Sequence, residues 1–285
     1  MNTNQYKVSK SVHLSAIATK EVIGDAKKQL KKTRKQISKL QDTMYAHGKY
    51  SMLVCLQGMD TSGKDSLIRE VFKDVNARGV VVHSFKVPTE RELKHDFLWR
   101  HYIALPERGK IGVFNRTHYE NVLVTRVHPE YILGERIPAV KSIKDLDAAF
   151  YQKRMKHINN FEQHIAENGM IILKFFLHLS KEEQKNRLMR RIRLQQKNWK
   201  FSAGDLKERK LWNQYQECYE DLLNRTSTEK APWYIIPADD KPTARLLVAT
   251  TILQTLQQYK DIQEPELDDK TKARLEEFKN QLEND

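Results

Sequence analysis

The chain has 285 residues, 39% hydrophobic and 31% charged, too polar for a membrane-embedded protein and too apolar for a disordered one. Its 50 Lys and Arg against 37 Asp and Glu give a net charge of +13. The excess is concentrated in residues 1–259, with 45 bases against 28 acids, and points to a polyanionic partner: nucleic acid, anionic lipid or a phosphate-rich small molecule.

Residues 1–24 read as an irregular arm without a secretory signal pattern. From 25 to about 48 the pattern is helical, with Leu30, Ile37, Leu40 and Met44 on one seam; Lys27, Lys28, Lys31, Lys32, Arg34, Lys35 and Lys39 read as a solvated face. The seam suggests self-association. SMLVCLQ (51–57) is a buried strand followed by a Gly-rich turn and a helix over 66–79. Further strands are expected at 81–87, 111–116, 171–180 and 233–239, with helices over 90–105, most of 144–167, the basic region to about 226, and from near Pro242. Apolar strands alternating with helices imply one doubly wound α/β domain whose ligands sit at the carboxyl ends of a five-stranded parallel sheet covered on both faces. The core spans about 25–259, a lid about 181–210, and an acidic tail 260–285. No apolar run approaches the roughly 20 residues of a spanning helix. No membrane partner is therefore expected, and Cys55 and Cys218, too few for a disulfide framework, make a cytoplasmic location the expectation.

The strongest local signal is Gly58-Met59-Asp60-Thr61-Ser62-Gly63-Lys64-Asp65-Ser66, a G-x-x-x-x-G-K loop between strand and helix. Its two glycines let successive N–H groups turn around phosphate oxygens, the helix start adds partial positive charge, and Lys64 reaches terminal or bridging phosphates. Asp65 stands where a magnesium-ligating Ser or Thr is usual, with Ser66 one place later; metal binding and helix capping are both open for Asp65. Asp60 lies inside the anion loop, where a carboxylate is tolerated only with a cation between it and the phosphate. It is therefore read as the metal-associated catalytic acid.

The third strand ends in Asn115-Arg116-Thr117-His118-Tyr119-Glu120-Asn121 and leads to Arg126. Asn115 holds the place of the second magnesium-associated acid without a charge, so metal binding rests on Asp60 and solvent, helped by Glu120. Arg116 and Arg126 can clamp phosphates, and His118 is read as packing. After the fourth strand, residues 181–200 hold eight bases, Lys200 among them, against Glu182 and Glu183. Arg187, Arg191 and Arg193 are candidates for an arginine-finger role in a closing lid, while about half the charges there read as solvated.

GMDTSGKDS, FKVPTERELKHDFLWR, IGVFNRTHYENVLVTRVHPEY, NWKFSAGDLKER and STEKAPWYIIPADDK, in this order, resemble the polyphosphate kinase 2 family over roughly residues 20–260. The FNRTHYE form is similar to the subclass that accepts both AMP and ADP. The resemblance implies a three-layer P-loop kinase-like sandwich with a basic helical lid. It also implies Mg²⁺-dependent (or Mn²⁺-dependent), reversible transfer of the terminal phosphate of inorganic polyphosphate to AMP and ADP. ATP is then the final product, and guanosine nucleotides are further candidates.

Carried onto this chain, the resemblance gives residues 58–66 the phosphate loop, with Arg126 and Arg193 as further phosphate contacts. Asp60, Lys64, Arg116, Arg187 and Arg191 take the catalytic places. Lys86, Arg100, Asn115, Arg116, Glu120 and Asn121 border the nucleotide. A homodimer or homotetramer is expected. An ATP-dependent nucleoside monophosphate kinase of thymidylate kinase type leaves Asp60 and the basic body unexplained. A nucleic-acid-binding P-loop protein would need interleaved exposed aromatics that the basic runs lack, so no nucleic-acid partner is expected.

Overall fold

The computed structural model describes residues 1–285 apart from the side chain of Lys200, so that member of the basic segment lies outside the described residues. In chain order the elements are α1 (Ala26–His47), β1 (Ser51–Gln57), α2 (Lys64–Val71), β2 (Val80–Ser84), α3 (Trp99–Tyr102), β3 (Ile111–Asn115), α4 (Glu120–Val127) and α5 (Glu130–Leu133). Then follow α6 (Ala148–Glu167), β4 (Met170–His178), α7 (Lys181–Arg193), α8 (Ala203–Lys210), α9 (Trp212–Thr226), β5 (Trp233–Pro237), α10 (Lys241–Leu256), α11 (Asp269–Ala273) and α12 (Leu275–Glu283). The five strands form one parallel sheet in the order β2-β3-β1-β4-β5. Neighbouring β1 and β3 are therefore joined by way of β2, and the strand order reverses beside β1, where a crevice opens at the carboxyl ends.

The period-two alternation of a strand divides the core. Met52, Val54 and Leu56 of β1 face the layer of α1, α2 and α10, with Leu173 and Phe175 of β4. Leu53 and Cys55 face the other side, against Phe161 and Ile165 of α6. Both faces being covered, β1 is buried throughout. The edge strand β2 is only half-buried, less than its apolar sequence predicts.

The seam of α1 is consumed inside the chain. Leu30, Ile37 and Met44 are buried in the same cluster as Leu247, Ile252 and Leu256 of α10, so this seam gives no support to self-association. The six lysines of its basic face are exposed, but Arg34 is buried and donates to Asp74 (3.0 Å) and to the Glu70 carbonyl (3.0 Å). Those contacts seize the end of α2, which stops at Val71 instead of running to 79. The expected helix over 90–105 is likewise reduced to a 3-10 turn at Glu92–Lys94 and the single turn α3. Buried Arg100 pins this segment to the Lys86 carbonyl (2.9 Å), to Glu92 (3.4 Å) and over the Phe85 ring.

The N-terminal arm is irregular but fastened. Lys7 forms an antiparallel bridge with Tyr234, and the Val8 N–H donates to the Trp233 carbonyl (2.8 Å), covering the outer edge of β5. No described helix is long and apolar enough to cross a membrane.

Candidate active site

The loop between β1 and α2 lies in the crevice. Gly58 has φ 150° and a Cβ there would meet the Leu177 carbonyl at 2.9 Å; Gly63 has φ 108°. Both positions therefore need glycine. Lys64 folds back over the loop, its Nζ donating to the Gly58 carbonyl (2.6 Å). Burial lowers the Lys64 pKa and Arg116 lowers it further, against the pull of Asp60.

The end of β3 faces this loop. Arg116, in the left-handed region at φ 59°, donates to Asp60 Oδ1 (3.0 Å) and lies 3.5 Å from Glu120 Oε2. Glu120, then Asp60, hold the guanidinium pKa above its ordinary value, against burial. Asn115 donates to Asp65 Oδ1 (2.8 Å) and to Ser84 (3.3 Å). Asp65 does not cap α2: the capping position is Gly63, and the Asp65 carboxylate turns to Asn115 and the cavity. Ser66 closes on the Gly63 carbonyl (3.0 Å).

Helix α7 rises from the end of β4 with Ser180 as its cap, the side chain accepting from the Glu183 N–H. Arg187 spends its guanidinium inside the protein. Nη1 donates to the Thr61 (3.0 Å) and Ser62 (2.9 Å) carbonyls, Nη2 to those of Ala238 (2.7 Å) and Asp239 (3.0 Å), and Nε to Glu183 (2.7 Å). All five N–H donors are thus committed, and the expected finger is here a clamp that fixes the phosphate loop. Arg191 joins α7 to α8 through Asp205 (2.8 Å) and lines the cavity.

Other expected contacts do not converge on the cavity. Arg126 is drawn to Asp221 of α9 (2.7 Å), and Arg193 is exposed away from the lining. Arg100 is the pin described above, leaving Lys86 exposed, and Asn121 donates to the His118 carbonyl (2.9 Å) within its own turn. Arg126, Arg100 and Asn121 are thus engaged with protein groups.

The cavity measures about 710 Å³ and is lined by nine basic side chains against the carboxylates of Asp60, Asp65 and Asp205. Its far wall holds Arg69, Arg190, Lys197, Lys241 and Arg245, none of which the loop motifs single out. Burial lowers the Lys241 pKa to about 8, helped by Arg187, Arg245 and Arg190. Behind Asp60, Lys64 and Arg116 lies a small recess with Met59, Glu120, Glu208, Tyr215 and Tyr219, so these three side chains form a partition. Among the described residues no three His, Cys, Asp or Glu side chains gather as a metal cluster.

A buried network supports the stretch after β3. Lys174 Nζ donates to Glu162 (2.6 Å), the Tyr119 hydroxyl (2.7 Å) and the Thr226 carbonyl (2.6 Å). His118 lies 3.0 Å from Glu162 and Tyr119 donates to it (2.8 Å), in keeping with the packing role expected of His118. Gln184 of α7 also donates to the Asp60 carbonyl (3.1 Å). A Lys inside an apolar strand was the one sequence signal for the network; Gln184 gave none.

Comparison with known proteins places this geometry. The family model "Polyphosphate kinase 2 (PPK2)" matches residues 23–264. An ADP-polyphosphate phosphotransferase of Rhodopseudomonas palustris is 48% identical over 225 residues, covering 79% of this chain and 77% of that protein. An AMP/ADP-polyphosphate phosphotransferase of Meiothermus ruber is 46% identical over 223 residues, 78% of each chain. The crystal structure of a polyphosphate kinase 2 from Arthrobacter aurescens superposes with a TM-score of 0.84 at 34% identity, over 95% of this chain and 94% of that one.

Proposed function

The chain belongs to the polyphosphate kinase 2 family, and from that premise we propose that it transfers the terminal phosphate of inorganic polyphosphate to AMP and ADP, giving ADP and ATP. The observation that carries this reading is the cavity: nine cations against three carboxylates, with the phosphate loop at its floor. A triphosphate would leave much of that wall unused, whereas a polymer with about one charge per phosphate can follow it beyond the loop.

In this reading the loop N–H groups and Lys64 hold the reacting end of the polymer, and the lid segment α7–α8 closes over it. Arg116, freed from Asp60, neutralises charge on the transferring group. The nucleotide approaches with its terminal phosphate as nucleophile, so little proton movement is needed and in-line positioning does most of the work. Arg187 acts by holding the loop rather than by touching the phosphate.

Asp60 and Asp65 suit Mg²⁺, which is commonly held by one or two carboxylates with phosphate oxygens and water completing the shell. When bound, Mg²⁺ (or Mn²⁺) offsets the negative charge shared by donor and acceptor phosphates. We place the reaction in the cytoplasm, where adenine nucleotides and reduced thiols such as Cys55 and Cys218 coexist.

The test is a coupled assay with AMP or ADP, polyphosphate and Mg²⁺ and no added ATP. ATP formation is expected from both nucleotides. Its absence from both, with ATP-dependent nucleotide phosphorylation present, would overturn the reading; formation from ADP alone would remove AMP from the substrates.

A further inference from the structure

From sequence the lysines of α1 read as a solvated face, but the fold gives them a particular neighbourhood. Helices α1 and α10 run side by side in one direction. The Ile23 N–H donates to Thr243 Oγ1 (3.0 Å) at their starts, and the Tyr50 and Tyr259 rings meet at 5.3 Å beyond their ends. Lys241 and Arg245, at the start of α10, line the cavity, as does Arg69 of α2. Arg245 Nε is buried without a hydrogen-bond partner among the described residues.

From this mouth a line of ion pairs leads outward to α1: Arg69 to Glu70 (3.2 Å) and Glu70 to Arg34 (3.7 Å). Lys31 and Lys27 precede Arg34 by three and seven residues, so they lie on the same stripe of α1, toward its start and hence toward the mouth. Both are exposed, and residues 26–41 contain no acid to neutralise them.

We propose that Lys31 and Lys27 continue the basic wall of the cavity as an external rail for the distal, unreacting part of a long polyphosphate chain, with Arg69 and Arg245 as the link at the mouth. This rests on the donor proposed above. The rail contributes affinity only for donors long enough to leave the cavity, so it sets a preference for chain length. Lysine ammonium groups suit it: they contact phosphates as mobile point charges, without fixed register, and the contact is strongly salt-dependent.

The experiment compares wild type with the Lys27→Glu, Lys31→Glu double variant, using long-chain polyphosphate and tripolyphosphate as alternative donors. A Lys153→Glu, Lys156→Glu variant on α6, across the sheet, controls for the same change in net charge. KM for the long chain should rise about five- to tenfold with kcat unchanged, and the slope of log affinity against log salt should fall by about 1 to 2. KM for tripolyphosphate should stay within about twofold, as should both values in the control. An equal rise with both donors, or none with the long chain, would overturn the rail while leaving the proposed reaction standing. Wild type that uses neither donor would instead overturn the proposed reaction. Direct binding of long-chain polyphosphate to wild type and variant would then decide the rail, equal affinity refuting it.

Discussion

Two carboxylate–cation contacts hang from the same short stretch after β3, and their surroundings set them apart. Through His118 and Tyr119 the stretch joins the Glu162–Lys174 pair, whose side chains are 1% and 0% exposed. Arg116, two residues earlier, meets Asp60 at the cavity wall, with side chains 45% and 27% exposed. The sealed pair is shut off from water, so removing either member leaves the other charge buried without its ion-pair partner. The open pair can exchange its partners for a phosphate and a metal ion at small desolvation cost. One kind of contact is architecture here; the other is a resting state of the machinery.

The largest effect should come from breaking the sealed side. Glu162→Gln is expected to lower the unfolding free energy by about 3–5 kcal/mol, read by denaturant titration; a loss below about 1 kcal/mol would deny the pair its structural role. Burial would raise the Glu162 pKa, but Lys174 and His118 outweigh it and hold the carboxyl below its ordinary value of 4.5. Its contribution should therefore be complete above that pH and be lost as the pH falls below it.

On the open side, Asp60→Asn should lower kcat about 10²- to 10³-fold with the unfolding midpoint unchanged. Near-wild-type turnover at saturating Mg²⁺ would show the carboxylate to be dispensable.

Arg187→Lys tests a side chain on the boundary between the two kinds. Losing the fork to four backbone carbonyls should cost about 2 kcal/mol of stability and raise KM for polyphosphate. A finger would instead lose kcat with stability intact.

The smallest effect concerns Lys241, whose pKa near 8 follows from burial and from Arg187, Arg245 and Arg190 around it. It is charged below that value, so KM for polyphosphate should rise about threefold between roughly pH 7 and 9. The Lys241→Arg variant should flatten the profile, and an unchanged profile would remove Lys241 from the donor contacts.

Much of this was legible in the residues themselves. All five strands overlap the apolar runs that predict them, although half-buried β2 stops at Ser84 instead of 87, because a sheet covered on both faces demands near-continuous hydrophobic segments. Residues 58–63 form the predicted turn between strand and helix, with α2 opening at Lys64, since Gly58 and Gly63 are needed locally for the backbone to turn there. The failures also share a cause. The helices expected to 79 and over 90–105 are replaced where buried Arg34 reaches Asp74, forty residues on, and where buried Arg100 reaches back to Glu92 and the Lys86 carbonyl, contacts that no helical spacing supplies. Arg69 on α2 and the pair Lys241 and Arg245 on α10 escaped notice because the two helices lie far apart in the chain, and only the packing of α2 beside α10 brings them together.

What the sequence determined by itself was every feature set by near neighbours along the chain: strand positions, the glycine turn, the excess of cationic charge. What the tertiary structure decided was the employment of each charged side chain. Arg187 and Arg191 lie one helical turn apart on α7, and locally only the Glu183 partner of Arg187 separates them. Both line the cavity, but folding delivers the Thr61, Ser62, Ala238 and Asp239 carbonyls around the first, while the second is held by the Asp205 carboxylate of α8. The number of donors left for a ligand depends on acceptors from distant strands and loops, and that is fixed only when the sheet assembles.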